Sequence, residues 1–461
     1  MFRQVKGEGL HVGCVLTWGP CYDFQRRYFQ PKADAVSEPM TVVKYDLEIS
    51  GFGSAPLGHV CLLNLQEQTY PDSEGTKERG WPSWTVPVMR WAKDQGGVTG
   101  YPHSDMRIDP QGAAQWLLEK SDTSGDGRLS VAEAEMALLP EPFTRIDRDE
   151  DNQLSATELA DSCDRAGELL PNVVPPGMTG AGAMEIFVSV PEGVCDFISA
   201  MDTGRVGEWN TWYHLMNCGF PLKVSGETDF PCMSSRRVGQ GRVYVQLGDV
   251  DAIDFPMWCR GLAQGRSYVS DGYAHALRFQ VNNQSPGFDD VTMTGPGEVR
   301  VTARVAFAPE LPEAVAYGTQ QPPLRRDVGD TRVLHAPRSE QRVQPTPRLV
   351  EIVVNGKVVA TRNVPSDGQP HDLEFRVPIE RSSWVALRQF PQLHTNPVNV
   401  IISGRPIRAS RASARWCSQA IDLLWRNRSR FIAEAERPAA RAAYDRASAF
   451  FRQILAESDE E

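Results

Sequence analysis

Short apolar runs alternate with helix-like stretches through the first 112 residues. Strand-like runs lie at Leu10–Trp18, Thr41–Glu48, His59–Leu65 and Val98–Tyr101, and helix-like stretches at Tyr22–Phe29 and Val86–Asp94. Apolar runs separated by helices predict a parallel α/β arrangement, because strands covered on both faces lose the polar alternation of half-exposed ones. Residues 113–165 break the rhythm with two acidic loops flanked by short amphipathic helices. Alternation then resumes, with strands expected at Met184–Val190, Phe197–Met201, Leu222–Gly226 and Arg242–Leu247, and helices at Glu208–Cys218 and Pro256–Ala263. The pattern predicts one α/β domain over 1–275, interrupted by an insertion at 113–165.

From residue 276 the period changes to two. Val299–Ala306 alternates V-R-V-T-A-R-V-A, as a half-buried strand does. Residues 308–347 are rich in Pro, Gln and Arg without periodicity and read as a linker. LVEIVVNGKVVATRNV follows. Its Asn355-Gly356 pair between apolar strands predicts a hairpin, because a type I′ turn needs two positive φ angles. Strands expected at Leu373–Val377, Trp384–Arg388 and Val398–Ile402 complete a small β-sandwich over 276–407. Residues 408–461 are helical: Trp416, Ile421, Leu424 and Phe431, then Ala440, Tyr444, Ala447, Phe450 and Ile454, recur at helical spacing. Pro438 divides them into an antiparallel helical hairpin.

Composition narrows the function classes. The 461 residues predict two to four domains, and a hydrophobic fraction of 41% supplies apolar mass for their cores. A net charge of −11 with no Lys/Arg run argues against a nucleic-acid partner. No apolar run reaches the length of a membrane span. The first residues, MFRQVKGEGLHVGCVLTWG, lack the apolar core and cleavage site of a secretory leader and run almost at once into a strand. This abrupt entry leaves two alternatives, a start at an internal Met with coding sequence missing upstream, or a protein that lacks the first strand. An extracytoplasmic location would follow if a leader lay upstream. The nine cysteines are scattered, without a CxxC or a disulfide framework, and read as buried thiols.

The two acidic loops carry the clearest chemistry. Residues 122–133 read D-T-S-G-D-G-R-L-S-V-A-E and residues 147–158 read D-R-D-E-D-N-Q-L-S-A-T-E. Calcium takes six to eight oxygens, which a twelve-residue EF-hand loop supplies from positions 1, 3, 5, 7 and 12, with position 9 often acting through water. The first loop offers Asp122, Ser124, Asp126, the carbonyl of Arg128, and Glu133, with Ser130 at position 9. The second offers Asp147, Asp149, Asp151, the carbonyl of Gln153, and Glu158, with Ser155 at position 9. Gly127 and Asn152 occupy position 6, where the chain turns through a left-handed conformation. Leu129 and its twin Leu154 occupy position 8, suited to pairing the loops. Four carboxylates in the second loop against three in the first predict tighter calcium there. The short linking helices favour a structural or buffering role over a switch.

Several segments outside the insertion resemble the PHP superfamily of metal-dependent hydrolases, in particular the bacterial CehA/McbA type. They are LHVGCVLTWG, YDLEISGFG…GHVCLLNL, VTGYPHS, WYHLMNCGF, SGETDFPC and GRSYVSDG, and the later SSWVALR…HTNPVNV resembles the β-rich part that follows in that family. The resemblance implies a distorted βα barrel, incomplete at its N-terminus, with ligands at the C-terminal strand ends and hydrolysis by metal-activated water. It carries Glu48, His59, His103 and Asp229 over as ligands of Zn²⁺, Mn²⁺ or Fe²⁺, and implies a small-molecule or ester substrate with ester or phosphoester-like bonds. Two departures accompany it. The sequence has no His-x-His pair for the first strand, and Pro231 stands where a His commonly follows the late Asp.

The remaining candidates read as structural. His11 is expected in the core, His214 on its helix, and Trp209, Trp212 and Tyr213 in helix packing. No Ser-His-Asp motif, P-loop or dinucleotide fingerprint is present, and no catalytic acid or base is singled out. Two readings follow. One is a calcium-binding metallohydrolase whose insertion, following His103 closely, orders the mouth of the site when calcium binds. The other is a non-catalytic calcium-binding or interaction protein with a degenerate barrel.

Overall fold

The computed structural model describes residues 1–17, 22–50, 55–74, 80–103, 106, 108–178, 182–201, 205–230, 238–309 and 347–458. The fold is mixed α/β, and one of its sheets curls into a half-barrel. In chain order the first strands are β1 (Val12–Thr17), β2 (Val42–Ile49), β3 (Val60–Leu63) and β4 (Val98–Tyr101). A short pair, β5 (Arg128–Ser130) and β6 (Gln153–Ser155), precedes β7 (Phe197–Ser199) and β8 (Lys223–Ser225). The half-barrel sheet runs β1-β2-β3-β4-β7-β8.

Its two faces bury different clusters. One face packs Val42, Cys61, Leu63, Val98 and Phe197, with Val12, Cys14 and Leu16, around Phe255, Cys259 and Leu262 of the helix Phe255–Gln264. The other face joins the largest core, shared with the helices Thr85–Asp94, Ile186–Ser189 and Arg205–Asn217. β3 runs antiparallel to β2 and β4, so the sheet is not wholly parallel. The physical reason lies in the β2–β3 link. Its described part holds only a short 3-10 turn, Ala55–Leu57, and a parallel crossover needs a dozen or more residues.

Three further expectations need correction. Met184–Val190 is not a strand; Ile186–Ser189 is a fully buried helical turn, and a short apolar run cannot separate buried helix from buried strand. His11 is exposed and lies just before β1, where its carbonyl accepts from Val42 N. In the tail, Phe431 and Phe450 are exposed, and Phe451 takes the core position instead.

The later strands are β9 (Arg242–Val245), β10 (Ser267–Ser270), β11 (Ala274–Val281), β12 (Val291–Met293), β13 (Gly297–Phe307), β14 (Arg348–Val354), β15 (Lys357–Val364), β16 (His371–Ile379), β17 (Ser383–Gln389), β18 (Leu393–Thr395) and β19 (Val398–Ile402). An eight-stranded sheet runs β12-β19-β17-β18-β10-β9, with β14 on β17 and β15 on β14; β11-β13-β16 forms a second sheet. One core joins the inward residues of both. β9 pairs with β10, and β10 with β18, so both belong to the eight-stranded sheet rather than to the half-barrel. Asn355 and Gly356 have φ of 52° and 89°, the two positive angles the hairpin requires. The linker expected at 308–347 falls, over 310–346, outside the described residues.

Two long helices close the chain, Arg411–Arg428 and Arg437–Glu457, with Pro438 in the first turn of the second, where its missing N–H costs nothing. Among the described residues, no helix is long and apolar enough to cross a membrane.

Candidate metal centres

The first centre forms where strands of the half-barrel end. On β2, Lys44, Asp46 and Glu48 share one face by the period of two. Lys44 Nζ and Asp46 Oδ1 form a buried ion pair at 2.8 Å, and Asp46 accepts from Asn64 N and Leu65 N, which holds the end of β3 against β2. This fixes Glu48, the next residue on that face, opposite Cys61 on β3. His59 precedes β3 and His103 follows β4. Glu48 Oε1 lies 3.3 Å from His59 Nδ1 and 3.4 Å from His103 Nε2. The two imidazoles meet edge to face at 5.2 Å. One ligand atom from each of the three residues falls within 4.8 Å of the others.

Glu227 completes the arrangement. It follows β8, and its Oε1 sits 2.8 Å from His103 Nδ1, so His103 is held between two carboxylates. Burial disfavours the His103 imidazolium, but Glu227 and Glu48 outweigh it and hold its pKa well above 6.5. Burial also opposes ionisation of Glu48, yet hydrogen bonds and charge from His103 and His59 pull its pKa down to about 2. For Glu227 burial wins over His103 and pushes the carboxyl up to about 8. A buried cationic imidazole between acidic groups is a place that a divalent cation could take over. His59 Nδ1, buried and without a hydrogen bond of good geometry, points the same way.

Asp229 does not join this group within 4.8 Å. It lines a cavity of about 380 Å³ whose wall includes Glu48, Glu227, Cys14, Leu16 and Trp258 but neither His59 nor His103. Its φ is 55°, a left-handed turn that Asp tolerates better than most residues. Three of the four residues expected from the sequence therefore converge, and Asp229 stands beside them. Glu227 was missed, although it lies in the same SGETD segment. Its role depends on β8 reaching β4 through β7, which local sequence does not encode.

The second centre is the insertion. Helices Pro110–Ser121 and Ala156–Ala166 carry its ends, and Leu129 and Leu154, both fully buried, face each other in the β5–β6 pair. Ser130 and Ser155 each cap a helix and exchange hydrogen bonds with Glu133 and Glu158, three residues on, in capping boxes. In the first loop Asp122 accepts from Gly125 N and Gly127 N, and Glu133 Oε1 accepts from Thr123 N and Ser124 N. Hydrogen bonds from Gly127 N and Ser130 N, respectively, lead in holding both carboxyls below the usual range. In the second loop Asp147, Asp149 and Asp151 bring oxygens within 4.8 Å of one another. Asp147 Oδ1 is buried without a hydrogen-bond partner, at position 1 of the loop, where a cation would be expected. Burial works against Glu158, but hydrogen bonds from Ser155 and from Arg148 N lower its pKa. Gly127 and Asn152 have φ of 80° and 64°, the left-handed turns expected at position 6.

The insertion rests on the C-terminal hairpin. Lys120 Nζ meets Asp422 at 2.8 Å, Arg426 pairs with Glu119 and lies over the Trp116 ring, and Trp416 Nε1 donates to Val174 O at 2.8 Å. Residues 104, 105 and 107, which join His103 to the insertion, lie outside the described residues. His214, expected to be structural, is buried, stacks on Trp416 at 4.2 Å and bonds Ser413 and Asn172. Trp209, Trp212 and Tyr213 are buried, as packing predicts. No family model, curated protein or solved structure matches this chain.

Proposed function

We propose that this chain binds calcium through its two EF-hand-type loops and holds a further divalent metal on Glu48, His59 and His103, as a PHP-like hydrolase of the CehA/McbA type would. On this reading the half-barrel is the distorted βα barrel of that family and the two later sheets are the β-sandwich that follows it. The convergence of those three side chains, from three separate stretches of chain, is the observation that carries the proposal. Two imidazoles and a carboxylate suit Zn²⁺, Mn²⁺ or Fe²⁺ better than calcium. A metal held there supplies Lewis-acid chemistry and lowers the pKa of water for hydrolysis of an ester. The protein's part is to orient and exclude. Glu227 would fix the His103 ring, Glu48 would present an ionised oxygen, and Cys14, Leu16 and Trp258 give the cavity beside Glu48 part of an apolar wall.

Elemental analysis of the full chain tests this. The expected result is calcium together with about one equivalent of a transition metal, the latter lost in His103→Ala while calcium stays. Protein reconstituted with both metals that retains neither would end the proposal. One observation favours the second reading, a calcium-binding protein without catalysis. The residues of β1 that face the interior cluster are Val12, Cys14 and Leu16, and burial pushes the Cys14 thiol far up, leaving that strand without a ready ligand. Metal uptake with no ester hydrolysis would select it.

A further inference from the structure

The two loops are electrically joined by a residue that sequence position assigns to only one of them. Arg128 stands at position 7 of the first loop, where the backbone carbonyl is the expected ligand. Its side chain crosses to the second loop, and Nη1 lies 2.6 Å from Oδ2 of Asp151. Asp151 is the position-5 ligand of that loop, and its other oxygen accepts from Gln153 N at 2.8 Å. The β5–β6 register sets the reach, because Arg128 stands opposite Ser155 and the buried Leu129–Leu154 pair locks that alignment. The second loop has a cation of its own, Arg148, whose side chain makes no ion pair among the described residues.

We infer that Arg128 is a trans-loop regulator of the second calcium site, competing with the ion for Asp151. The inference rests on the calcium reading of the loops. It changes the ranking that carboxylate count alone gives. Asp147, Asp149, Asp151 and Glu158 outnumber Asp122, Asp126 and Glu133 by one, and the guanidinium cancels that one. Calcium entering the second loop must either displace the ion pair or tolerate a positive charge a few ångströms away. Between a divalent and a monovalent cation in largely aqueous surroundings, that repulsion is on the order of tenfold in affinity. The same residue offers its carbonyl to the first loop, so occupancy of either site bears on one backbone position.

The experiment uses the full chain, stripped with a chelator and titrated with calcium by calorimetry. Glu133→Gln silences the first loop and leaves the second to be read alone. In that background Arg128→Gln is expected to tighten the second site about tenfold at low salt. The gain should shrink in about 1 M salt, where the Debye length falls to about 3 Å. Arg148→Gln removes the same charge from the loop itself without breaking an ion pair, and is expected to give a smaller gain. No gain from Arg128→Gln, or a gain no larger than that from Arg148→Gln, overturns the inference. Wild-type protein that takes up no calcium overturns the calcium reading first, and the two failures are seen in different samples. Near-ultraviolet circular dichroism before titration confirms that the half-buried Arg128 was replaced without loss of fold.

Discussion

Replacing Glu227 by Gln probes how the half-barrel centre is built. Glu227 would not itself bind the metal. It sits 2.8 Å from His103 Nδ1, on the far side of the ring from Glu48, whose Oε1 is 3.4 Å from Nε2. A histidine that ligates through one nitrogen while giving the other to a carboxylate is held in one orientation and made more basic, and loss of such a partner typically costs about 10–100-fold in metal affinity. That range corresponds to about 1.4–2.8 kcal/mol. The metal-free fold should hardly notice. Burial favours the neutral form of the Glu227 carboxyl, and Gln is an amide of the same shape, so the metal-free packing around His103 is kept. The assay is competition for Zn²⁺ against a chromogenic chelator near pH 7.5, with thermal unfolding of the metal-free protein alongside. The expected outcome is weaker binding by one to two orders of magnitude with an unchanged Tm. If Glu227→Gln binds Zn²⁺ as wild type does while His103→Ala does not, the carboxylate does not orient the ring.

The other predictions concern the insertion and the core. Calcium at about 100 times its Kd should stabilise the insertion by about 2.7 kcal/mol, read as slower limited proteolysis within 113–165 and reversed by a calcium-selective chelator. Unchanged cleavage would remove the link between ion and loop order. Leu154→Ala deletes a fully buried side chain from the loop pair and should cost about 2–5 kcal/mol, measured by urea unfolding, with calcium affinity reduced as well. Glu185 is buried, accepts from Thr85 and from Tyr444, and burial pushes its pKa from 4.5 to about 7. The folded state therefore holds this proton more tightly than the unfolded one. Its contribution is most favourable below about pH 4.5 and declines as pH rises toward 7, by up to about 3 kcal/mol. Glu185→Gln should remove that decline from the pH profile of stability.

Legibility in the sequence followed how local each interaction is. The calcium-type loops could be read because their chemistry repeats at fixed positions in twelve residues, and Gly127, Asn152 and the Leu129–Leu154 pair fall where the spacing places them. The Asn355-Gly356 turn was equally local. The direction of β3 was not, since it depends on how little chain joins it to β2. Nor was the sheet of β9 and β10, because Arg242–Val245 reads as a strand whichever sheet it joins; its partner is chosen by β10 and, through it, by β18. In the half-barrel centre, the resemblance to a hydrolase family, not the residue pattern alone, pointed to Glu48, His59 and His103, whereas the contact between Glu227 and His103 spans β4, β7 and β8 and is a product of assembly.

The packing of the insertion also bears on what calcium would do on the proposed reading. A sensor opens by swinging long helices apart to expose an apolar groove. Here the helix after the first loop spans only Val131–Met136, and the one before the second only Phe143–Ile146. The two longer helices, Pro110–Ser121 and Ala156–Ala166, already share a closed core with Val174. Ion pairs from Glu119 and Lys120 tie the first of these to the C-terminal hairpin. That hairpin is in turn joined to the half-barrel's helical layer by Trp416 on His214 and by Tyr444 donating to Glu185. Contiguity of this kind gives a route between the centres, but coupling needs an element with two arrangements. Parting the two longer helices would break that shared core. On the proposed reading, calcium would therefore act as a staple that holds the insertion and its contact with the hairpin, and the ion pair of Arg128 with Asp151 would set how readily the staple is filled.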